Sequence, residues 1–228
     1  MSSARVLLIG AKGRMGRTIV DLAKNEPKIE IVAECDLGDA IAPAMKDVDV
    51  TIDFSQPGAI EEICSAASEH RHPLVIGTTG HSAEQRELIR TTARSLAIVF
   101  ASNFSVGVNA LFALTRRAGE ILRDFDIEIV ETHHKTKKDV PSGTAKTLAQ
   151  IAKSTRKIDK EIPIESIREG EVVGEHTIIF TGPAERLELT HRAASREIFA
   201  RGALRAAQWV MGRPAGLYSM QDVLGLGL

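Results

Sequence analysis

The chain has 228 residues, enough for one large domain or two small ones with a buried core. Lys and Arg total 29 against 30 Asp and Glu, a formal net charge of -1, and 4% of residues are aromatic. That balance excludes a general nucleic-acid binder, and so few rings exclude a stacking platform for single strands.

In chain order, Val6 to Ile9 is an apolar run that stops at glycines and reads as a buried parallel strand. Arg14–Lys24 has helical spacing, with Met15, Ile19, Leu22 and Ala23 on one side. Ile29–Ala33 reads as a second strand, and strand signals recur at Val48–Phe54, Leu74–Gly77 and Ala97–Ala101. Helical stretches at Ala59–His70 and Ser82–Arg94 separate them, and Ser82 with Gln85 resembles a capping box. This alternation predicts a doubly wound, Rossmann-like parallel sheet with helices on both faces.

The pattern changes after about Ser105. A helix over Val108–Leu122, a strand over Ile127–Thr132, a polar loop and a helix over Ala145–Lys153 follow. Residues 162–191 read as an antiparallel sheet, a last helix covers Arg196–Met211, and the tail is mixed. The fold class is therefore α/β, a nucleotide-binding domain followed by a second, smaller α+β domain; the resemblance given below implies that this second domain serves substrate binding and oligomerisation. The expected boundaries are 1–104 and 105–210, with hinges near 105 and 210; that 211–228 completes the first domain is what the resemblance given below implies.

Cys35 and Cys64 form no CxxC pair, so neither a zinc ribbon nor a disulfide framework is expected. The N-terminus lacks a signal-peptide core, and no stretch nears the ~18 apolar residues of a membrane span. The expected location is the cytoplasm.

The first strand-to-helix turn reads Gly10, Ala11, Lys12, Gly13, Arg14, Met15, Gly16. A pyrophosphate must approach backbone closely there, and the N-terminus of the next helix offers it N–H groups. The triple Ala11, Gly13, Gly16 is a variant of the usual fingerprint, and a glycine-rich turn serving another ligand is the alternative. Asp36, at the end of the second strand and ~20 residues on, is placed to accept hydrogen bonds from a ribose diol. With Leu37 beside it, Asp36 favours NADH, while Lys12 and Arg14 leave NADPH open. Gly77, Thr78 and Thr79 follow one strand, and Ala101, Ser102, Asn103 and Phe104 follow another. Both loops fall at the carboxyl ends of strands, where a nicotinamide would lie.

The segment ETHHKTKKDVPSGTAK at 131–146 concentrates cations and hydrogen-bond donors. His133 and His134 follow a strand and point to opposite sides. Neighbouring residues on a strand rarely chelate one ion, so no metal is expected. A histidine near neutral pKa transfers protons, and a lysine among cations can have its pKa lowered enough to donate one. Ser142, Gly143 and Thr144 open a helix whose N–H groups can bind a carboxylate. A solvated basic loop with a helix cap is the plain alternative.

These stretches closely resemble the dihydrodipicolinate reductases (4-hydroxy-tetrahydrodipicolinate reductases) of lysine and diaminopimelate biosynthesis. GAKGRMG, VTIDFSQP, GTTG, ASNFSVGVN and ETHHKTKKDVPSGTA carry the resemblance, with HRAASREIFARGALRAAQW and GLYSMQDVL. The resemblance implies His133 as proton donor or acceptor and Lys137 as the proton donor beside it. It implies His134, Gly143 and Thr144 as substrate contacts, and 77–79 with 101–104 as the nicotinamide pocket. It further implies a mixed sheet in the second domain, a tail returning to the first, and a homotetramer. A short segment between Asp36 and Val48, and Leu37 where many NADPH-tolerant members carry Arg, depart from the family pattern. Rival readings are another dehydrogenase, a dinucleotide-sensing regulator, against which the lack of a basic helix-turn-helix candidate speaks, and an inactive relative, against which intact His133, Lys137 and the Ser-Gly-Thr turn speak.

Overall fold

A computed structural model describes residues 3–226. The chain forms two compact units, residues 3–105 with 197–226, and Val106–Arg196.

The first unit runs β1 (Ala4–Ile9), α1 (Arg14–Ala23), β2 (Ile29–Cys35), α2 (Ile41–Ala44), β3 (Val50–Asp53), a short 3-10 turn, α3 (Ile60–His70), β4 (Leu74–Ile76), α4 (Ala83–Thr92) and β5 (Ala97–Phe100). The second contains α5 (Val106–Ile121), β6 (Asp126–His133), α6 (Gly143–Arg156), β7 (Ile164–Arg168), β8 (Gly174–Thr181) and β9 (Arg186–Ala193). The chain then returns to the first unit as α7 (Glu197–Val210), β10 (Gly216–Tyr218) and α8 (Met220–Val223).

Six parallel strands form the first sheet in the order β10-β5-β4-β3-β1-β2. Its strands are apolar at successive positions because both faces are covered. Val6, Leu8, Ile52 and Val99 join α1 and α7 in one core, while Leu7, Ile9, Ile76 and Ile98 join α2, α3 and α4 in another. Each fully buried side chain of this kind, such as Ile19 or Ile63, contributes about 1.5–3 kcal/mol. The capping box at α4 forms as expected: Ser82 Oγ accepts the Gln85 N–H at 3.2 Å, and Gln85 Oε1 accepts the Ser82 N–H at 3.0 Å.

Three expectations need correction. The helix expected in the second domain, α7, belongs to the first unit, so the second crossing falls between Arg196 and Glu197 and not near 210. Its small residues explain this. Ala200, Ala203, Ala206 and Ala207 are buried in the first core, and a Cβ at Gly202 would stand 1.8 Å from the Phe104 carbonyl oxygen. Second, 162–191 is not wholly antiparallel. The second sheet has order β7-β6-β8-β9, with β7 parallel to β6 and only β6–β8 and β8–β9 antiparallel. The passage from β6 to β7 runs through α6, and a helical crossover delivers the next strand parallel. Third, the tail, expected only to be mixed, holds a strand: β10 extends the first sheet beside β5.

Candidate functional site

In the first unit, the cleft lies where the strand order reverses between β1 and β3, the position at which such sheets bind ligands. It has a volume of about 440 Å³ and is lined by Gly10, Gly13, Asp36, Leu37, Phe54 and Ser55, among others. Gly10 has φ +83, and a Cβ there would fall 2.5 Å from the Phe54 carbonyl oxygen. A Cβ at Gly16 would fall 2.2 Å from the Gly10 carbonyl oxygen. Both glycines are therefore fixed by close backbone approach. Gly13 caps α1 with no side-chain hydrogen bond, and no acid sits in the helix's first turn. The positive end of the helix dipole is left for an external anion. Of the seven turn residues, Lys12, Gly13 and Arg14 are exposed, Gly10, Ala11 and Gly16 are buried, and Met15 packs against the core.

Asp36 Oδ2 accepts the Lys12 N–H at 2.8 Å, and Oδ1 accepts the Leu37 N–H at 2.9 Å. These two bonds hold its carboxyl below the usual range, so the group is an oriented anion at the cleft. An uncapped helix start, two glycines without room for a side chain and a fixed carboxylate fit a dinucleotide's pyrophosphate and ribose.

The two loops expected to border a nicotinamide divide differently. Thr79 and Ser102 are exposed, and Asn103 Oδ1 accepts the Ser105 N–H at 2.9 Å. Gly77 packs under Phe54, whose ring a Cβ would meet at 2.3 Å. Thr78 is buried, and Phe104 is a core residue whose ring lies 5.5 Å from that of Phe54. With its ring buried, Phe104 can offer a ligand in this loop only its backbone. Phe54 and Ser55 line the cleft and were not singled out from the sequence.

In the second unit, strand register puts Ser166, Glu131, His176 and His191 in one row across the sheet. His133 stands two residues from Glu131 on the same, helix-covered face. Glu131 is fully buried. Its Oε2 accepts a very short hydrogen bond from His133 Nδ1, and its Oε1 accepts the Arg168 guanidinium at 2.8 Å and the Ser142 N–H at 3.3 Å. Burial pushes the Glu131 carboxyl up, but Arg168, Ser166 and His133 outweigh it and hold the group below its ordinary range. Burial pushes His133 down, Glu131 opposes this, and the nearby Lys137 charge adds to the fall, leaving a neutral ring near pH 7.

Donor atoms of Glu131, His133 and His176 lie within 4.8 Å of one another. The Arg168 cation on the same carboxylate opposes a divalent ion there, so we read these groups as a proton network.

Outside the strand, His134 Nδ1 meets Thr136 Oγ1 at 2.7 Å, and Lys137 Nζ donates to Asp139 Oδ1 at 2.7 Å. The loop is therefore less purely cationic than its lysines suggest. Arg168 also donates to the Asp139 carbonyl at 2.8 Å, tying loop to strand. Ser142 is the N-cap of α6: its Oγ accepts the Ala145 N–H at 3.2 Å and lies 3.1 Å from His176 Nε2. Ser142 is buried and its hydroxyl is engaged internally, and the exposed Gly143 with half-buried Thr144 start the helix.

Burial, followed by the charge of His133, lowers His176 to about 3. The unfolded ring takes up a proton below about 6.5 while the folded ring does not, so this group's stability contribution is complete above 6.5 and is lost as pH falls toward 3. The loss approaches roughly 1.4 kcal/mol per pH unit within that window. Chemical denaturation of wild type and His176→Gln should give stabilities that converge on acidification; a constant difference would contradict the assignment.

Residues 4–104 match the family described as dihydrodipicolinate reductase, N-terminus, and residues 107–224 match its C-terminus. The chain belongs to the dihydrodipicolinate reductase family. It is 47% identical to the 4-hydroxy-tetrahydrodipicolinate reductase of Akkermansia muciniphila, covering 97% of this chain and 98% of that one. The Methanoregula boonei reductase is 41% identical at 98% coverage of both. Dipicolinate-bound dihydrodipicolinate reductase from Paenisporosarcina sp. TG-14 superposes with a TM-score of 0.82 at 26% identity, covering 96% of this chain and 98% of that chain. The chain is thus an oxidoreductase of this family, with the Rossmann-like sheet that the residue pattern predicted and the mixed second sheet that the resemblance implied. No helix among the described residues is long and apolar enough to cross a membrane.

Four residues that surround His133 escaped the sequence reading: Glu131, Arg168, Ser166 and His176. One signal was available for the first. On a strand, residues two apart share a face, so Glu131 had to stand beside His133.

Proposed function

We propose that the protein reduces the dehydrated ring of 4-hydroxy-tetrahydrodipicolinate to tetrahydrodipicolinate with NADH or NADPH. The observation that carries this reading is His133, bonded to a buried anion and coupled to Lys137, beside the N-terminus of α6. When bound, the reduced nicotinamide supplies a hydride to ring C4. Gly10, Gly13, Gly16 and the α1 N-terminus hold the pyrophosphate, and Asp36 holds the adenosine ribose. Gly77, Thr79, Ala101, Ser102 and Asn103 border the nicotinamide, Thr78 supporting them from beneath. His134, Gly143 and Thr144 hold the substrate carboxylates, using helix N–H groups and the positive loop. The His133/Lys137 pair delivers the proton that accompanies the hydride. Net, the ring loses one water and gains one hydride and one proton, and the nicotinamide is oxidised.

Asp36 and Leu37 favour NADH, because a fixed carboxylate accepts from a ribose diol and repels a 2′-phosphate. The face of the second sheet opposite α5 and α6 supports assembly into a homotetramer through that sheet. The biosynthetic activity supports a cytoplasmic location.

The test generates the substrate with the preceding synthase and follows nicotinamide oxidation with each cofactor. Oxidation that depends on the synthase product supports the reading, and none with either cofactor contradicts it. Asp36→Ala should raise KM for NADH about 10- to 100-fold, the loss of charge-assisted hydrogen bonds, with kcat little changed. An unchanged KM for NADH would remove Asp36 from the ribose site.

A further inference from the structure

Glu131 belongs to the network around His133 but is given no step of its own in the proton transfer described above, and it is the most completely enclosed acid beside that chemistry. It is 0% exposed, and its two oxygens do different work. Oε1 faces two donors, the Arg168 guanidinium at 2.8 Å and the Ser142 N–H at 3.3 Å. Oε2 faces His133 Nδ1. Neither oxygen can rotate away without stranding a donor in a buried place, which is costly.

We propose that Glu131 is a positioning residue: anchored by Arg168 and Ser142, it fixes His133 in the tautomer with the proton on Nδ1. Nε2 is then the ring atom that exchanges the reaction's proton. Arg168 extends the arrangement, because the same guanidinium nitrogen also donates to the carbonyl of Asp139, whose side chain holds Lys137. One cation thereby registers both members of the proton-handling pair. Gly174 leaves Nε2 clear on one side, since a Cβ there would stand 3.1 Å from it. This inference rests on the proposed role of His133.

The anchoring makes a sharp forecast for Glu131→Gln. The amide oxygen must face the two donors, so its NH₂ faces His133 Nδ1. That nitrogen then has to accept, and the neutral ring's proton moves to Nε2. We expect kcat to fall about 10²-fold, within the range for general acid–base catalysis, with substrate and cofactor KM within a few-fold of wild type. Nitrogen-15 NMR of labelled histidine should show His133 protonated on Nδ1 in wild type and on Nε2 in Glu131→Gln. The His133 titration should move to lower pH, because the carboxylate that opposes its fall is gone. Glu131→Asp keeps the charge, and should keep the Nδ1 tautomer and recover part of kcat.

Wild-type kcat in Glu131→Gln, or an unchanged tautomer, overturns the proposal. If Glu131→Gln does not fold, Glu131→Asp decides: an Nε2 proton in that variant overturns it equally. A parallel His133→Gln variant separates the two levels. Inactive His133→Gln with fully active Glu131→Gln removes Glu131 alone, whereas fully active His133→Gln removes the parent reading and this one together.

Discussion

Lys137→Ala lowers kcat by about 10²- to 10⁴-fold, the span that a positioned proton donor contributes. The side chain is 22% exposed and donates to Asp139, itself 54% exposed. An ion pair so open to water adds only about 0–1 kcal/mol to stability. The variant should therefore fold normally, and its defect should lie in the chemical step. Lys137→Arg sharpens the reading. Arginine keeps the charge that attracts a dicarboxylate but does not release a proton in a protein. Substrate KM should return toward wild type while kcat stays low. Steady-state kinetics on both variants check this, and recovery of kcat in Lys137→Arg would make Lys137 a charge and not a donor.

The second large effect is at Gly16→Ala. The added Cβ would stand 2.2 Å from the Gly10 carbonyl oxygen and 2.6 Å from Ala11 Cα, all backbone. No side chain can swing aside, so the start of α1 must shift. Overpacking of this kind costs about 1–3 kcal/mol, or roughly 2–12 °C in Tm for a chain of this size. The displaced helix start also carries the N–H groups proposed to hold the pyrophosphate, so cofactor KM should rise at least ~10-fold. Gly58→Ala is the control: it borders the same cleft, but its Cβ would meet nothing within 4 Å. Calorimetry and cofactor titration on the two variants check the pair, and equal Tm values would contradict the packing argument.

What the sequence discloses and what it hides follow from the range of the interactions. The alternation from β1 to β5 was legible because short apolar runs alternate with helical spacing and end at glycine or polar turns, and the capping box at Ser82 is local by construction. The return of α7 to the first unit was not legible. It depends on Gly202 meeting Phe104, residues remote in sequence whose contact no periodicity announces. β10 is three residues, Gly216–Tyr218, and gains its strand character from pairing with β5.

The site divides in the same way. His133, Lys137 and the Ser142 cap lie within one short segment and declare their chemistry together. The groups that set their state come from farther along the chain. Arg168 reaches Glu131 across 37 residues, and His176 stands opposite Glu131 only because β6 and β8 pair in that register. Nor does the segment 131–146 alone disclose that Asp139 holds Lys137 or that Ser142 is buried against His176.

The central claim is direct hydride transfer from a nicotinamide to the substrate ring. Its most direct measurement uses a cofactor carrying deuterium at the transferring position of the nicotinamide, with NMR of the tetrahydrodipicolinate product. The account predicts deuterium at ring C4; nicotinamide oxidation that leaves the product ring free of deuterium would contradict it.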